Sequence, residues 1–409
     1  MYEDSKTMLS GKKILLGVTG GIAAYKAAEL TREFVKGGAS VKVIMTKNAS
    51  EFITPLTMQT LSGNPVYSEM YSCGSDFDFA HISLAEYPDV VVIAPATANI
   101  IGKIAAGLAD DLLTTTVITT KSPVLICPAM NTNMFANVIV KENISKLASI
   151  GYLFMEPGYG EMACHSEGYG RLPDVSDIVE EVQSILTAKD LTGEQILVTA
   201  GPTREPLDPV RFITNYSSGK MGYAIAIAGR QRGARVVLVS GPTSLPVPRG
   251  IQFVPVTSAV EMRDAVMEYL EASTVVIKAA AVADYRPAAR SGSKIKKRSG
   301  PLSLLLERNP DIISEVGLRK GERILVGFAV ETEDLIENAK AKLLNKNMDL
   351  IVANDVMQEG AGFGCNTNII KILDREGGQL ELPMMDKMEA AERIMDRIRE
   401  IIVSRRQKK

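Results

Sequence analysis

The chain has 409 residues, of which 46 are basic and 48 are acidic, so its formal net charge is −2. This balance argues against wholesale binding to nucleic acid or to an anionic membrane surface. At roughly 100–200 residues per domain, the length predicts two or three domains. Four cysteines without a C-x-x-C pair argue against a disulfide scaffold or a thiolate zinc cluster, and two histidines argue against a histidine-rich metal site.

The apolar runs are short, and the N-terminal segment is polar. Runs such as residues 90–94 span about five to eight residues, whereas a bilayer-spanning helix needs about 20. Residues 1–9 are of mixed charge and lack the apolar segment of a signal peptide. We therefore expect a cytoplasmic protein that binds no membrane.

Short β-branched runs alternate with helical segments in the first half of the chain. Continuous apolar strands separated by helices are typical of a parallel sheet that is covered on both faces. The predicted strands are 14–18, 41–45, 90–94 and 124–127, and the predicted helices are 22–36, 100–106 and 137–150.

The same pattern restarts after a polar turn at residues 191–194. We predict a boundary near residue 190, with domains 1–190 and 191–409, each a doubly wound α/β fold. The apolar spacing in 387–405 predicts a covering helix at the C-terminal end. The predicted strands of the second half are 196–199, 235–239, 275–279, 324–329 and 350–353, with helices near 221–231 and 259–271.

Four loops of the first half follow strands and are rich in Gly, Thr, Asn or Met. Ligands of open α/β sheets bind at the carboxyl ends of the strands. Gly20 and Gly21 would let backbone N–H groups approach an anion at a helix N-terminus. The full G-x-G-x-x-G pattern is missing, so a phosphate site and a plain βα turn both remain open. Small neutral polar groups suit a flat ring system with one phosphate. Flavin mononucleotide (FMN) fits that description, although composition does not exclude other ligands.

Two further features of the first half have more than one interpretation. His81, just before the strand at residue 90, is either a surface or capping residue or part of a site. Residues 158–171 contain four glycines and predict a mobile lid. Cys164 in that segment could be a proton donor, a nucleophile or inert, since a thiol with a pKa near 8.5 can donate a proton at neutral pH.

Taken together, these motifs resemble those of the flavin-containing cysteine decarboxylases. They are the segment 20–26, the isolated His81, the segment 128–134 and the glycine-rich segment carrying Cys164. Residues 11–185 are similar to phosphopantothenoylcysteine decarboxylase, and the resemblance implies a flavodoxin-like domain. In that family the flavin oxidises the substrate's cysteine thiol to a thioaldehyde. Carbon dioxide is then lost, and the resulting enethiolate is restored to a thiol.

The resemblance also implies roles for individual residues. His81 would be the active-site base or orienting residue, Asn131 would bind the substrate carboxylate, and Cys164 would donate the proton. Phe135 and His165 depart from the tryptophan and glycine usual in the family, and His165 leaves the proton route open. The residues implied to hold FMN are Gly21, Ile22, Thr46, Phe52, Thr97, Ala98, Asn99 and Ala129.

In the second half, polar and charged residues gather around predicted strand and helix ends. Residues 211–222 fit either an oxyanion cradle or an ordinary capped helix, and their spacing does not match a Walker A motif.

Asp284 follows a predicted strand. Six basic residues lie in the segment 286–298, which is either a solvated loop or a cationic flap. Lys342 and Lys346, spaced i,i+4, share a predicted helix face. Many lysines around one carboxylate suit a nucleoside triphosphate with Mg²⁺.

Residues 191–403 resemble phosphopantothenate–cysteine ligase of the CTP-dependent type, which implies a Rossmann-like domain. Such ligases join cysteine to 4'-phosphopantothenate through an acyl-cytidylate. By resemblance, Asn215 engages the acyl intermediate, Lys294 stabilises it, and Asp284 approaches Mg²⁺. The residues implied to bind CTP are Ala279, Ala280, Asp284, Lys294, Pro310, Asp311, Ile312, Phe328, Lys342 and Lys346.

The two resemblances fit together, because the ligase product is the decarboxylase substrate and the two enzymes occur fused in coenzyme A synthesis. The family implies a homo-oligomer of trimeric decarboxylase units joined by ligase dimers into a dodecamer. Two alternatives are a regulatory flavin-binding subunit and a decarboxylase of peptides that end in cysteine. The presence of His81, Asn131 and Cys164 argues against the first alternative, and the attached ligase half argues against the second.

Overall fold

The computed structural model describes residues 9–70, 80–161, 167–296, 302–330, 335–354, 362 and 364–407. The chain forms two compact units, which divide between Thr187 and Ala188. Each unit contains its own main sheet with buried apolar clusters on it.

The first unit alternates strands and helices along almost its whole length. In chain order its elements are β1 (Lys13–Val18), a 3-10 helix (Ile22–Tyr25), α1 (Lys26–Lys36), β2 (Ser40–Met45), a 3-10 helix (Lys47–Glu51), α2 (Pro55–Ser62), β3 (Val66–Tyr67), α3 (Ala80–Glu86), β4 (Val90–Ala96), α4 (Ala98–Ala106), α5 (Leu112–Thr119), β5 (Val124–Pro128), α6 (Thr132–Ala136), α7 (Val138–Ser149), β6 (Leu153–Phe154), β7 (Gly158–Glu161), β8 (Glu167–Arg171) and α8 (Val175–Leu186).

Six parallel strands form the first sheet, in the order β3-β2-β1-β4-β5-β6. The chain order reverses between β1 and β4, so the carboxyl ends of these two strands flank a crevice suited to a ligand. Every residue of β4 is buried, because alternate side chains enter apolar clusters on opposite faces of the sheet. This confirms the predicted parallel sheet. β7 and β8 form a separate antiparallel pair.

The second unit repeats the plan and adds an antiparallel edge. Its elements are β9 (Gln195–Ala200), β10 (Arg204–Pro206), β11 (Phe212–Thr214), α9 (Lys220–Gln231), β12 (Arg235–Ser240), β13 (Gln252–Pro255), α10 (Ala259–Leu270), β14 (Val275–Lys278), β15 (Tyr285–Pro287), β16 (Leu306–Arg308), α11 (Ile312–Leu318), β17 (Ile324–Val330), α12 (Leu335–Asn345), β18 (Leu350–Asn354), β19 (Thr367–Asp374), β20 (Gln379–Asp386) and α13 (Lys387–Gln407).

Eight strands form the second sheet, in the order β13-β12-β9-β14-β17-β18-β19-β20. The first six are parallel, and β19 and β20 pair antiparallel at one edge. The order again reverses at a central pair, here β9 and β14, which confirms the second doubly wound domain. Two small antiparallel pairs, β10–β11 and β15–β16, stand apart from this sheet.

Local sequence signals explain where several helices begin. The Thr54 side chain accepts a hydrogen bond from the N–H of Thr57 at the start of α2, where Pro55 occupies the first turn. Asp111 and Thr114 form a reciprocal capping box at the start of α5. The predicted C-terminal helix is α13, whose apolar face is buried and packs against α9. Within the described residues, no helix is both long and apolar enough to cross a membrane.

Several predicted boundaries differ from the observed ones, and three of them bear on the candidate sites. The predicted helix 22–36 begins as a 3-10 helix and becomes α-helical at Lys26. The predicted strand 275–279 ends at Lys278, one residue early. Lys346 lies one residue beyond α12, although its N–H still donates to the carbonyl oxygen of Lys342 at 3.0 Å.

Candidate active sites

A cavity of about 910 Å³ lies in the first unit, along the carboxyl edge of its sheet. Its wall brings together loops that follow β1, β2, β4 and β5, as expected for a doubly wound sheet. Among the lining residues are these predicted site residues: Gly21, Ile22, Thr46, Thr97, Ala98, Asn99, Ala129 and Asn131.

Hydrogen bonds fix the loops of this cavity to one another. The Thr19 hydroxyl donates to the carbonyl oxygen of Pro95 at 2.7 Å and accepts the N–H of Thr97 at 3.2 Å. The N–H of Ala129 donates to the carbonyl oxygen of Ala96 at 2.9 Å. The loops after β1, β4 and β5 are therefore joined directly, and the cavity wall has a defined shape.

Three helices begin at the cavity wall. A 3-10 helix begins after Gly21, α4 begins after Thr97, and α6 begins after Asn131. The side chains of Thr97 and Asn131 accept backbone N–H groups of Ile100 and Asn133, at 3.4 and 2.8 Å. Partial positive charge collects where helices begin, so this wall favours an anionic group such as a phosphate.

One ion-pair cluster borders the cavity. Lys103 at the end of α4 pairs with Asp110 at 2.8 Å and with Asp111 at 3.1 Å. Hydrogen bonding to Asp110 raises the pKa of Lys103, although partial burial opposes that shift. Burial alone would raise the pKa of Asp111, but hydrogen bonds from Thr114 and Lys103 lower it. One lysine thus faces two carboxylates, and the cluster keeps a net negative charge.

The glycine-rich segment forms a hairpin whose two arms reach the cavity. Glu161 of β7 and Gly170 of β8 both line it, and the N–H of Met130 donates to the carbonyl oxygen of Gly170 at 2.9 Å. A Cβ atom at Gly168 would lie 2.8 Å from the side chain of Thr132, so glycine allows β8 to approach α6 closely. The hairpin therefore lies beside Asn131. Cys164 and His165 lie outside the described residues.

Two predicted residues lie away from the cavity wall. Phe52 follows the second 3-10 helix and is 46% exposed, and it does not line the cavity. His81 lies in the first turn of α3 and is partly buried, also outside the lining residues. Within the part of the chain described, neither side chain joins the other predicted flavin residues, and their assigned roles stay predictions.

In the second unit, several predicted residues meet beyond the carboxyl ends of β9 and β14. Ala281, just after β14, forms a bridge with Pro202. The Asn215 side chain donates to the carbonyl oxygen of Ala281 at 3.0 Å. Thr203 accepts the N–H of Ala283 at 3.0 Å. The structure therefore places Asn215 beside the Ala279–Ala281 segment, although 66 residues separate Asn215 from Ala281 in the chain.

A cluster of charged side chains extends from the same strand ends. Lys346 donates to Asp311 at 2.9 Å, and Asp311 also caps α11 through the N–H of Ser314. Partial burial would raise the pKa of Asp311, but the hydrogen bonds from Lys346 and Ser314 lower it. Lys278, the last residue of β14, is in electrostatic range of Lys346, Asp311, Asp284 and Lys342. Burial lowers the pKa of Lys278, and the neighbouring lysines add to that effect.

The remaining predicted ligase residues differ in exposure. Asp284, Lys294 and Lys342 are exposed, as residues that meet a soluble ligand should be. The Ile312 side chain is only 2% exposed and belongs to an apolar cluster with β14 and β17, so only its backbone could meet a ligand. Phe328 on β17 is partly buried against the other cluster of the sheet.

Two residues to which sequence reasoning gave no role take part in these sites: Thr19 and Lys278. A lysine that ends the apolar run 275–278 was a usable signal, because charge at a strand's carboxyl end faces the ligand edge. The hydroxyl of Thr19 gave no local signal of its contact with Pro95. Within the described residues, no group of three or more His, Cys, Asp or Glu side chains could hold a metal ion.

Comparison with known proteins covers both units. The family model described as Flavoprotein matches residues 2–187, and the model described as DNA/pantothenate metabolism flavoprotein C-terminal domain matches residues 191–402.

Curated relatives match almost the whole chain. The coenzyme A biosynthesis bifunctional protein CoaBC of Bacillus subtilis is 49% identical over 395 residues, which are 96% of this chain and 97% of the relative. The protein of the same name from Vibrio cholerae is 48% identical over 395 residues, which are 96% and 99% of the two chains.

A solved structure described as the C-terminal domain of CoaBC is 43% identical, with a TM-score of 0.47. It covers 53% of this chain and 100% of its own. On the evidence of the curated relatives and the two family models, the chain belongs to the family of coenzyme A biosynthesis bifunctional proteins.

Proposed function

We propose that the chain is a bifunctional enzyme of coenzyme A biosynthesis. It ligates cysteine to 4'-phosphopantothenate with CTP through an acyl-cytidylate, and it decarboxylates the product to 4'-phosphopantetheine with FMN. The observation that carries the proposal is the 49% identity to the Bacillus subtilis bifunctional protein, which extends over both units. The arrangement of each candidate site supports it.

The cavity of the first unit suits FMN in size and in chemistry. Its volume of about 910 Å³ lies at the upper end of the range typical of small-molecule sites. Helix beginnings at Gly21 and Thr97 would receive the phosphate, and Ala98, Asn99 and Ala129 would contact the ring system. When bound, the flavin supplies a two-electron acceptor for the substrate's thiol and returns the electrons after decarboxylation.

Three residues of the first unit would then act on the substrate. The Asn131 amide would hold the substrate carboxylate, His81 would act as base or orienting residue, and Cys164 would protonate the enethiolate. Asn131 lies at the cavity wall, and the N–H of the neighbouring Met130 donates to Gly170 of β8. The placement of Asn131 supports its proposed contact with the substrate, and the role of Cys164 rests on the resemblance alone.

The second unit suits a nucleoside triphosphate with Mg²⁺. Asp284 and Asp311 offer carboxylate oxygens, and the phosphates of the nucleotide would complete the coordination of the ion. Lys278, Lys342 and Lys346 would attract the triphosphate. The residues that would contact CTP also include Ala279, Ala280, Pro310, Ile312 and Phe328.

The ligation needs a leaving group, because a carboxylate is a poor acylating agent. A carboxylate oxygen of 4'-phosphopantothenate attacks the α-phosphorus of CTP, and the α–β phosphoanhydride bond breaks to release pyrophosphate. The cysteine amine then attacks the acyl carbon, and CMP departs with the bonding electron pair. Asn215 and Lys294 would stabilise the charge that develops on the acyl intermediate.

Assembly into trimers and dimers is part of the proposal. Ile22 and Tyr25 at the cavity rim are 61% and 59% exposed, and Met134 is 47% exposed. Exposed apolar side chains that group together often mark a surface that a ligand or another protein covers, and a second copy of the chain is the occupant we propose. Sedimentation of the purified protein tests the proposed dodecamer. A cytoplasmic location stays a prediction of the sequence.

Spectroscopy and two variants test the proposed function. The purified protein should show flavin absorbance bands and should form 4'-phosphopantetheine from 4'-phosphopantothenate, cysteine and CTP. Cys164→Ser should stop thiol formation while flavin remains bound. Lys294→Gln should block turnover of the cytidylate and leave decarboxylation intact. Equal loss of both activities in Lys294→Gln would contradict two separate sites.

A further inference from the structure

A buried carboxylate connects two loops of the second unit. The Asp208 side chain has no exposed surface. Its Oδ1 accepts the N–H groups of Val210 and Arg211, both at 2.8 Å. Its Oδ2 accepts the Arg211 guanidinium at 3.0 and 2.6 Å and the N–H of Ile295 at 3.0 Å. One oxygen therefore shapes a local turn, and the other holds a residue 87 positions away.

Further hydrogen bonds strengthen the contact between these loops. The Arg211 guanidinium donates to the carbonyl oxygen of Ile295 at 2.8 Å, so both backbone groups of Ile295 are held. The N–H of Ser291 donates to the carbonyl oxygen of Leu207 at 2.9 Å. Hydrogen bonding from Arg211 lowers the pKa of the Asp208 carboxyl, so it carries its charge at neutral pH.

A residue of the proposed ligation step lies in or near each of the two loops. Lys294 directly precedes Ile295, and its exposed side chain depends on the backbone there for its position. Asn215 follows β11, whose Thr214 hydroxyl donates to the carbonyl oxygen of Thr203 at 2.7 Å. Asp208 lies in the turn between β10 and β11. The hydrogen bonds of Asp208 and Arg211 to Ile295 thus fix the Asp208 turn and the Lys294 segment relative to each other.

A long, flexible lysine side chain is easier to position when its own backbone is already held in place. The lysine side chain has a large rotamer entropy, and ordering its backbone as well at each turnover would slow the reaction. Charge-assisted hydrogen bonds to buried backbone groups are among the stronger polar contacts in proteins. The contact to Ile295 is therefore suited to keep the Lys294 backbone in place before substrate arrives.

We propose that Asp208 is a positioning residue for ligation: with Arg211 it holds the backbone of Ile295 and so places Lys294 beside the acyl intermediate that Asn215 engages. The inference rests on the proposed ligase function and adds a residue to it. Asp208 touches no reacting atom in this proposal, and it acts only through Lys294.

The variant Asp208→Asn separates the two roles of the side chain. Its amide oxygen can still accept the N–H groups of Val210 and Arg211, so the local turn is kept. Its NH₂ group would face the donors of Arg211 and Ile295, so the hydrogen bonds that Oδ2 accepts are lost, including the one to the other loop. Asp264→Asn is the matched control, because Asp264 pairs with Arg263 at 2.9 Å on the exposed side of α10.

The experiment measures CMP release in a single turnover of the full-length protein with CTP, 4'-phosphopantothenate and cysteine. Asp208→Asn should slow release about 10- to 100-fold, because small misplacements of catalytic groups carry losses of that order. The KM for CTP should change less than about threefold, since the charged cluster that binds it is untouched. Asp264→Asn should match the wild type, and decarboxylation of supplied phosphopantothenoylcysteine should be normal in every variant.

A double-variant cycle decides whether Asp208 acts through Lys294. If it does, Asp208→Asn combined with Lys294→Gln should be no slower than Lys294→Gln alone. Multiplied losses in the double variant would overturn the inference, and so would a wild-type rate in Asp208→Asn. A wild-type rate in Lys294→Gln would also overturn the inference about Asp208. The proposed ligase function would stand in that case, because the protein would still ligate.

Discussion

The hydroxyl of Thr19 donates to the carbonyl oxygen of Pro95 at 2.7 Å and so joins the loop after β1 to the end of β4. The same hydroxyl accepts the N–H of Thr97 at 3.2 Å. Thr19 is 2% exposed and is one of the residues that line the candidate flavin cavity, so its hydroxyl helps to shape the cavity wall.

Thr19→Val should weaken flavin binding about tenfold, a loss of ~1.4 kcal/mol. Valine keeps the volume but leaves the buried Pro95 carbonyl and Thr97 N–H without this partner, which also lowers the free energy of unfolding by about 1–3 kcal/mol. Flavin fluorescence titration of the deflavinated protein measures the affinity. Thr31→Val is the control, because Thr31 is buried in α1 and donates to the Ala27 carbonyl oxygen away from the cavity. Equal flavin affinity in the two variants would contradict the role of Thr19.

The two adjacent glycines of the first loop should respond differently to alanine. A Cβ atom at Gly20 would lie 2.3 Å from Asn48 Cβ and 2.8 Å from the Asn48 carbonyl carbon. At Gly21 it would lie 3.5 Å from Thr97 Cγ2, an ordinary contact, and φ is −150°. Gly20→Ala should therefore destabilise the first unit by about 1–3 kcal/mol.

Gly21→Ala, by contrast, should keep the unfolding temperature of the wild type but reduce its flavin content, because the added methyl group faces the proposed ligand. Calorimetry and the ratio of flavin to protein absorbance measure the two effects. Normal flavin content in Gly21→Ala would remove Gly21 from the proposed flavin contacts.

Lys278→Met should have opposite effects on stability and on nucleotide binding. Burial lowers the pKa of Lys278, so we expect its charge to be disfavoured in the unliganded protein and methionine to raise the unfolding temperature. The loss of a cation facing the phosphates should weaken CTP binding about tenfold. Calorimetric titration with CTP and thermal unfolding measure both quantities.

The matched control for that variant is Lys371→Met, since Lys371 pairs with Glu381 across β19 and β20. It should leave CTP affinity at the wild-type value. Unchanged CTP affinity in Lys278→Met would show that this side chain lies away from the bound nucleotide.

Glu392 should make the second unit less stable as the pH rises from about 5 to 8. Arg232 pairs with Asp190 and Asp396 at 2.8 Å but lies 3.5 Å from Glu392. Burial, reinforced by the neighbouring carboxylates, raises the pKa of Glu392 from 4.5 to about 7. Between those values the folded protein holds a proton that the unfolded chain has released, so stability is lost as the pH rises.

Glu392→Gln removes this titration and should flatten the dependence. Unfolding temperatures at pH 5.5 and pH 8 should therefore differ less in Glu392→Gln than in the wild type. Glu268→Gln, an exposed change on α10, should retain the wild-type difference. An unchanged difference in Glu392→Gln would assign the pH dependence to other groups.

Much of the architecture was predictable from local patterns. The apolar run 90–94 predicted a buried parallel strand, and β4 is buried at every position. The loops that contribute Gly21, Thr97 and Asn131 were predicted to share one edge, and all three line the cavity. Such inferences succeed because the alternation of strands and helices, and the rule that ligands bind at carboxyl ends, depend on short stretches of sequence.

The sequence by itself therefore determined two doubly wound sheets and the edge at which each site lies. Only the tertiary structure decided which side chains meet there: Thr19 with Pro95 across 76 positions, and Asp208 with Ile295 across 87. It also showed that Ile312 is buried in an apolar cluster and that Lys278 joins the charged cluster around Asp311. The physical reason is that hydrophobic periodicity is a local property, whereas a hydrogen bond or a charge contact between distant residues exists only once the chain has folded.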